Sequence, residues 1–582
     1  GFVVKNMGGM VPRLDPGQLP DNMAEIAVDC DFRPGSIDPL PEPQFVISLP
    51  GAKKAYLFPN ADDTDEVWLP LPSPFSSVVR SPLTNDNQRR IYSSSTGDPY
   101  PWWTTWADLK GGVVAPYEVG IVQPDPAIVL GVTATGGTID GSIPLVARSY
   151  VYTFINDYGE ESAPSVPSAL VEGPPDATWT VFGMPPMSVT VPPATPAGRK
   201  FVGATALRLY RTVTGLQTGA SFYEVETFRY DTNPPPGVYV DTTSDLEIVD
   251  KTLLQSTNWA NPPEGLDGLV GLPGGMLVGF IGNTIHFCEP YRPHAWPAIY
   301  DQSVLYDIVA LAVWQQSLVI LTKGFPSTGN GNSPVNYVLT QVQVSEPCIA
   351  RGSVVVDLAG VLYASQNGII LLNYYGMTNT TLEEMSKNVW LNKYDATTLR
   401  ACRHRSQYFA INDNGDGFLF DGTDKRMGFV DISKVARCSS VWNHEYTGNT
   451  YMMSDGVVYL WDSPTAPLST FRWRSKHFYS PKPLSLGAVH TVADNRIREA
   501  LPPQEPQADP EMILPPGVNA RFRIFAGPDL ILIMTRDLSQ PTEIFRLPSG
   551  FEAFDWQIEL VSRIRFDSVE LASTMKELKG VG

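Results

Sequence analysis

The sequence predicts an all-β protein: a β-propeller-like core, an inserted fibronectin-type-III-like β-sandwich and a C-terminal β region. Three observations carry that expectation. The 53 prolines and 48 glycines among 582 residues are scattered between short apolar runs, which cuts the chain into strands and turns. Helical periodicity is confined to Thr380 to Leu391 and Ser573 to Lys579. Four segments read as strand, tight turn, strand, with Gly beside Asn or Asp at each turn: Met276 to Glu289, Gly360 to Leu372, Gln407 to Asp421 and Tyr451 to Trp461. A fifth, Ser317 to Val344, carries a longer Gly/Asn/Ser loop. The turns recur at steps of roughly 40 to 48 residues, the size of a four-stranded propeller blade.

Taken in order, residues 1–45 read as an N-terminal arm and strand region. Residues 46–121 hold KAYLF, EVWLPL, SSVVRSPL, RRIYSSS and PWWTTW, strands for one more blade. Residues 122–255 interrupt the propeller: VARSYVYTFINDYGEESAPS is a Tyr-rich alternating strand ending in a polar turn, and ALRLYRTVTG with SFYEVETF forms a second strand pair, as in a sandwich. Residues 256–465 hold the main blades. Residues 466–582 form a last β region, opening with FRWRSKHFY and containing RFRIFAGPDLILIMT and FRLPSGFEAFDWQIEL.

Composition narrows the function class. With 43% hydrophobic and 18% charged residues the chain buries sizeable cores. Cys30, Cys288, Cys348, Cys402 and Cys438 are odd in number and never spaced as CxxC, so neither a disulfide framework nor a zinc ribbon is expected, and a reducing compartment of synthesis fits. Gly1 to Met10 has no basic stretch ahead of an apolar core, so no secretion signal is expected. The most apolar window, Ile308 to Leu321, is split by Gln315 and Gln316 and reads as two strands and a turn rather than a membrane span. A net charge of −19 argues against a protein that grips nucleic acid through a basic surface.

Several constellations invite a chemical reading. His286, Cys288, Glu289 and His294 lie within nine positions. His286 and Cys288 share a strand face, whereas Glu289 points to the other and His294 lies beyond two prolines, so the ligand set is incomplete. Pro290, Pro293 and Pro297 fix this backbone, and Tyr291, Arg292, His294 and Trp296 are expected to pack on another domain or chain. Asn412 to Gly417 resembles a calcium loop but has Thr423 at its twelfth position and strands on its flanks, so it reads as a hairpin turn. Glu160 and Glu161 sit at a turn and read as a solvated pair. Ser94 to Trp103 and Ser454 to Trp461 do not hold the spacing of sialidase Asp-boxes, and neither a GxSxG elbow nor a P-loop occurs. Arg472, Arg474 and Lys476 form a basic row on one strand face, expected to be a solvated face or a salt-bridged subunit contact rather than a phosphate contact. Glu499, Glu505, Asp509 and Glu511 mark a Pro-rich acidic loop, expected near a channel or an interface. No cofactor and no catalytic group are expected.

Patches across most of the chain resemble the tail nozzle proteins of short-tailed bacteriophages, also called tail tubular protein B. They are NMGGMVPRLDPGQLPDNMAEIAVDCDFRPGSI, YTFINDYGEESAPS, LRLYRT, GLPGGMLVGFIGNTIHFCEPYRPHAWP, WRSKHF, FRLPSGF and VELASTMKEL. The resemblance implies a non-enzymatic virion protein, assembled in the host bacterial cytoplasm as a homo-hexamer at the end of the tail. It implies docking on the head-to-tail adaptor ring, attachment of fibres or spikes, and transient passage of double-stranded DNA without specific binding. It also implies that the stretch around His286 is structural. The alternative class is a propeller-type glycan-binding adhesin or glycan hydrolase, which needs clustered exposed aromatics such as Trp102, Trp103 and Trp106, or two carboxylates in a cleft.

Overall fold

Each hairpin turn read from the sequence closes the two middle strands of a blade. The computed structural model describes residues 1–60, 62–112, 116–187, 194–195, 197–213, 221–494, 507 and 509–579. In it Met276–Ile281 pairs with Thr284–Phe287, Gly360–Ser365 with Gly368–Asn373, Gln407–Ile411 with Gly417–Phe420, and Thr450–Ser454 with Val457–Trp461. At Asp455 and Gly456 φ is 50° and 76°, the double left-handed geometry of the turn that matches strand twist.

These hairpins belong to a ring of seven blades among the described residues, packed in chain order. Blade 1 is the hairpin Lys54–Pro59 with Glu66–Leu71. Blade 2 runs from Ser77–Arg80 outward through Arg90–Ser94 and Trp102–Thr105 to Tyr117–Ile121. Blades 3, 4 and 5 start with Asp267–Leu272, Ile308–Trp314 and Val355–Asp357, and blade 6 with Arg400–His404. Blade 7 has only three strands of its own, Cys438–Asn443, Thr450–Ser454 and Val457–Trp461; its fourth is Gln44–Ser48, from the other end of the chain.

Three expectations need correction. Residues 46–121 supply two blades instead of one, because KAYLF and EVWLPL pair only with each other. The loop expected within Ser317 to Val344 contains an extra strand, Ser327–Asn330, whose STGN sequence has Thr328 as its single strand-favouring residue beside Gly and Asn. The helix expected over Thr380 to Leu391 is shorter and shifted to Lys387–Asn392, started by Ser386, whose hydroxyl accepts from the Val389 amide.

The interruption after blade 2 is a sandwich of two three-stranded sheets: Gly131–Thr135, Thr178–Phe182 and Val238–Asp241 against Tyr150–Ile155, Ala206–Thr212 and Phe222–Arg229. Tyr150, Tyr152, Phe154, Val181, Leu207 and Leu209 fill it. Arg211, fully buried, is held by Asp241 at 2.8 Å and Asp245 at 2.9 Å, so this charge enters the interior paired.

After blade 7 the chain builds two more sheets and sews them to its own beginning. Phe2–Lys5 pairs with Phe566–Ala572, and Ala24–Val28 pairs both with Phe471–Ser475 and, in parallel, with Phe429–Ile432 of blade 6. The blade 6 sheet thereby continues through Ala24–Val28 into the C-terminal strands Ala553–Ser562, Ala520–Ala526 and Ile531–Asp537. Between the two N-terminal strands runs a strap that demands small residues. A Cβ on Gly8 or Gly9 would lie 2.4 Å or 2.0 Å from the carbonyl oxygens of Arg426 and Met427. The two C-terminal sheets meet over a shared core, with the Phe522 and Phe545 rings edge to face at 5.5 Å.

Asp29, in the turn after Ala24–Val28, is buried with φ 54° and accepts from the Ser433 amide at 3.0 Å and from the Ser433 hydroxyl. Burial pushes its carboxyl up to about 6, so folding favours the protonated form; the resulting stability is complete below the ordinary carboxylate range and lost as pH rises through 6. Asn tolerates the left-handed backbone and carries no charge. Asp29→Asn is therefore expected to melt above the parent at pH 8, with the gain shrinking to nothing by about pH 4. Melting curves across that range check it.

Candidate functional site

The Pro-fixed stretch after blade 3's third strand is a joint between domains. The Glu289 amide donates to the Ala295 carbonyl at 2.8 Å and the Arg292 amide to the Glu289 carbonyl at 2.8 Å, which ties the loop to itself. Tyr291, at φ 58°, lies on Gly275, where a Cβ would come within 2.4 Å of the ring. Trp296 is buried with Tyr92 and Trp103 of blade 2 and Leu277 and Cys288 of blade 3. His294, also buried, donates from Nε2 to the Glu161 carbonyl of the sandwich at 3.1 Å. Burial lowers its pKa below the usual imidazole value, which suits the neutral donor. Arg292 stacks over Trp259 at 5.4 Å, and Trp259 meets His294 edge on.

The other half of the joint was invisible as such in the sequence. Glu160 and Glu161 are not a solvated pair. Glu160 is buried and accepts from Arg90 of blade 2 at 2.5 Å and from Asn156 at 2.9 Å. Glu161 accepts from the Tyr210 and Thr153 hydroxyls, each at 2.7 Å. Arg90 also holds Asp86 at 2.9 Å and lies 5.5 Å from the rings of both Trp103 and Tyr158. The sandwich is thus pinned to blades 2 and 3 by the Arg90–Glu160 pair, by Arg199 held between Asp98 and Glu118, by the His294 imidazole, and by Lys200–Val202, which joins blade 2 as a parallel strand beside Tyr117–Ile121.

The chemistry of the cluster from His286 to His294 follows from this placement. His286 pairs with Asp301 at 2.9 Å. Cys288 accepts from the Leu277 amide at 3.0 Å, and burial pushes its thiol up to about 12, the state of a structural cysteine. The Asn412 side chain accepts from the Asp416 amide at 2.9 Å and donates to the Tyr394 carbonyl at 2.9 Å, as a hairpin turn requires. Among the described residues no group of three His, Cys, Asp or Glu side chains is placed to hold a metal ion. All five cysteines are free and buried, and no helix among those residues is long and apolar enough to cross a membrane. Trp102 and Trp103 are buried, so they offer no aromatic platform to a glycan.

A second joint contains the basic row. Arg472 and Arg474 share the outer face of Phe471–Ser475 while Trp473 points into the core and donates to the Gly8 carbonyl at 2.9 Å. Both guanidiniums converge on Glu559, at 3.0 Å and 2.8 Å, and Arg523 reaches the same carboxylate at 2.8 Å. Asp509 holds Arg472 at 2.8 Å, Glu511 pairs with Arg523, and Lys476 pairs with Asp21 at 3.0 Å. The two acids of the Pro-rich segment that the structure describes are therefore neutralised within the chain; Glu499 and Glu505 lie outside the described residues. Glu559 has no exposed surface, yet the signal for it was present: a lone acid in the apolar run WQIELV, beside strands reading FRWR and RFR.

Glu160→Ala leaves Arg90 buried with half its counter-charge, a change expected to cost about 3 kcal/mol. Denaturant unfolding followed by intrinsic tryptophan fluorescence measures it. Glu172→Ala, at an exposed site of the same domain, is expected to change stability by less than about 0.5 kcal/mol.

No family model and no curated protein matches the chain. Similar solved structures include BBS1N in complex with ARL6DN, soaked with mercury, at 8% identity over 73% of this chain and 99% of that one, with a TM-score of 0.29. A lead-soaked crystal of the same complex gives 11%, 73%, 99% and 0.28. The WD40 domain of Neurospora crassa Pan2 gives 8% identity over 51% of this chain and 86% of that one, with a TM-score of 0.25. At such scores these likenesses carry no functional argument, and the propeller stands on the chain's own sheet order.

Proposed function

We propose that this chain is the structural subunit of a tail nozzle in a short-tailed bacteriophage. Six copies form a ring with a channel and gate for genome ejection, docked on the head-to-tail adaptor and able to hold fibres or spikes. One spatial fact supports the reading: the scattered patches that resemble the nozzle family meet at the two joints. YTFINDYGEESAPS, LRLYRT and the stretch ending HAWP converge where Glu161 takes the Tyr210 hydroxyl and its carbonyl takes His294. The N-terminal patch, WRSKHF and VELASTMKEL converge where Trp473 bonds Gly8 and Phe2–Lys5 pairs with Phe566–Ala572. Most of the patches that resemble the family thus hold domains in fixed relation, as a load-carrying ring subunit needs.

The charge economy agrees. Six copies carry roughly −110 at neutral pH, and an acidic lumen repels phosphates, so DNA passes without being held. The arginine row of the C-terminal strands offers little to phosphate, because Arg472, Arg474, Arg521 and Arg523 are all paired with carboxylates of the chain.

Ring contacts need apolar surface. Tyr479, Ile531 and Phe554, at 69%, 65% and 46% exposure, flank the same end of strand Ala553–Ser562, with Tyr479 and Phe554 stacked. Electron microscopy of the purified chain is expected to show six-fold rings, of about 380 kDa by light scattering for six chains of 63.8 kDa. Ile531→Glu is expected to dissolve them without lowering the melting temperature. A chain that stays monomeric at high concentration, and labels no tail tip on phage particles, overturns the reading.

A further inference from the structure

The ring encloses an axial channel of about 330 Å³, to which every blade's innermost strand contributes. Its charged lining is one-sided. Lys54 comes from blade 1, Arg351 from the turn before blade 5's first strand and Arg400 from blade 6; among the described residues no Asp or Glu lines it. This occurs in a chain where acids outnumber bases 61 to 42, so the positive wall is no reflection of overall composition. Two of the cations have partners behind the wall: Arg351 makes a fork with Asp267 at 2.6 and 2.9 Å, and Arg400 pairs with Asp413 at 2.5 Å.

Lys54 differs. Its ammonium donates to the Ser76 carbonyl at 3.0 Å, and no carboxylate compensates it. Its ionisable neighbours are Arg351 and the Cys402 thiol, which burial keeps protonated. Desolvation, aided by Arg351, lowers its pKa to about 8, so at neutral pH it stays charged at a cost. The Arg400 Nε is also buried without a hydrogen-bond acceptor. A half-buried charge with no counter-charge and a buried orphan donor are each unfavourable unless something completes them. Ser76, Ser77 and Ser440 also line the channel, their hydroxyls bonded to Ser95, Ser94 and the Lys53 carbonyl, and a wider cleft lined by Lys53, Arg400, Asp413 and Arg437 opens beside Arg400.

We propose that the propeller axis is a binding site for a small oxyanion of the phosphate class, free or as a compact phosphomonoester, held between Lys54 and Arg400 with Arg351 completing the positive wall. The volume sits at the small end of the range of ligand pockets, which admits such a molecule and excludes a nucleic-acid duplex. The site is separate from the genome channel of the proposed ring and does not depend on that reading. Anion binding supplies the counter-charge that the fold withholds from Lys54 and thereby stabilises the native state by mass action.

The test is thermal melting of the full chain in inorganic phosphate against sodium chloride at equal ionic strength and pH 7. The parent is expected to melt several degrees higher in phosphate. Lys54→Met removes the uncompensated ammonium, so it is expected to melt at or above the parent in chloride and to lose the phosphate response. Lys323→Met, at an exposed lysine paired with Asp307, is expected to keep the full response. A parent that melts alike in both salts overturns the proposal, as does an equal phosphate shift in Lys54→Met and Lys323→Met. Glucose 6-phosphate against glucose separates phosphomonoesters from the free ion: a shift with the ester shows that the site takes esters, and a shift with inorganic phosphate alone restricts it to the ion.

Discussion

Everything in this architecture depends on four residue pairs. Val457, Val458, Tyr459 and Leu460 of blade 7 are matched by Ser48, Ile47, Phe45 and Gln44, strands separated by some four hundred positions. A closed propeller still keeps a short edge on each blade, but without Gln44–Ser48 blade 7 would lack its fourth strand and the ring could open between its first and last blades. The closure also sets the axial channel, because seven innermost strands surround a shared void only while the first and last blades touch. Ala52, Ala55, Trp442, Tyr451 and Met453 fill that contact.

A second layer of stitching lies outside the ring. The strap from Gly8 to Val28 ties blade 6 to the C-terminal sheets, and the Arg90–Glu160 pair ties the sandwich to blade 2. Both use buried polar groups where a larger apolar contact would also hold. Their merit is directional: a carboxylate accepting from one guanidinium at 2.5 Å, or three guanidiniums converging on Glu559, is satisfied in one geometry. The inserted domain and the C-terminal module are thereby oriented as well as attached.

What the sequence made legible was what is local. Asp455–Gly456 and the other Gly turns announced their hairpins because turn chemistry needs only neighbouring residues. Tyr150 to Ser165 announced a sandwich strand by alternation, and the three prolines from Pro290 to Pro297 announced a fixed loop. Ser327–Asn330 stayed hidden because its pairing is imposed by strands on both sides instead of by its own residues. Glu160 looked solvated because Arg90 is 70 positions away. The basic row looked free because Glu559 lies 87 positions beyond Arg472. Lys54 carried no signal at all: in sequence it is one of two lysines at a strand start, and only the closed ring surrounds it with other cations.

The strand that shuts the ring has a history as well as a position. Translation at roughly 5 to 20 residues per second leaves Gln44–Ser48 without its partner for about 20 to 80 seconds after it emerges. During that time the sandwich, whose contacts are local, can fold on the nascent chain, while an apolar segment reading FVIS waits unpaired. Newly made chains are therefore most vulnerable to mispairing before residue 461 is synthesised. A single late event, the docking of that early strand, turns a row of blades into a closed body. Chaperone capture of the N-terminal region would shield this segment until its partner emerges.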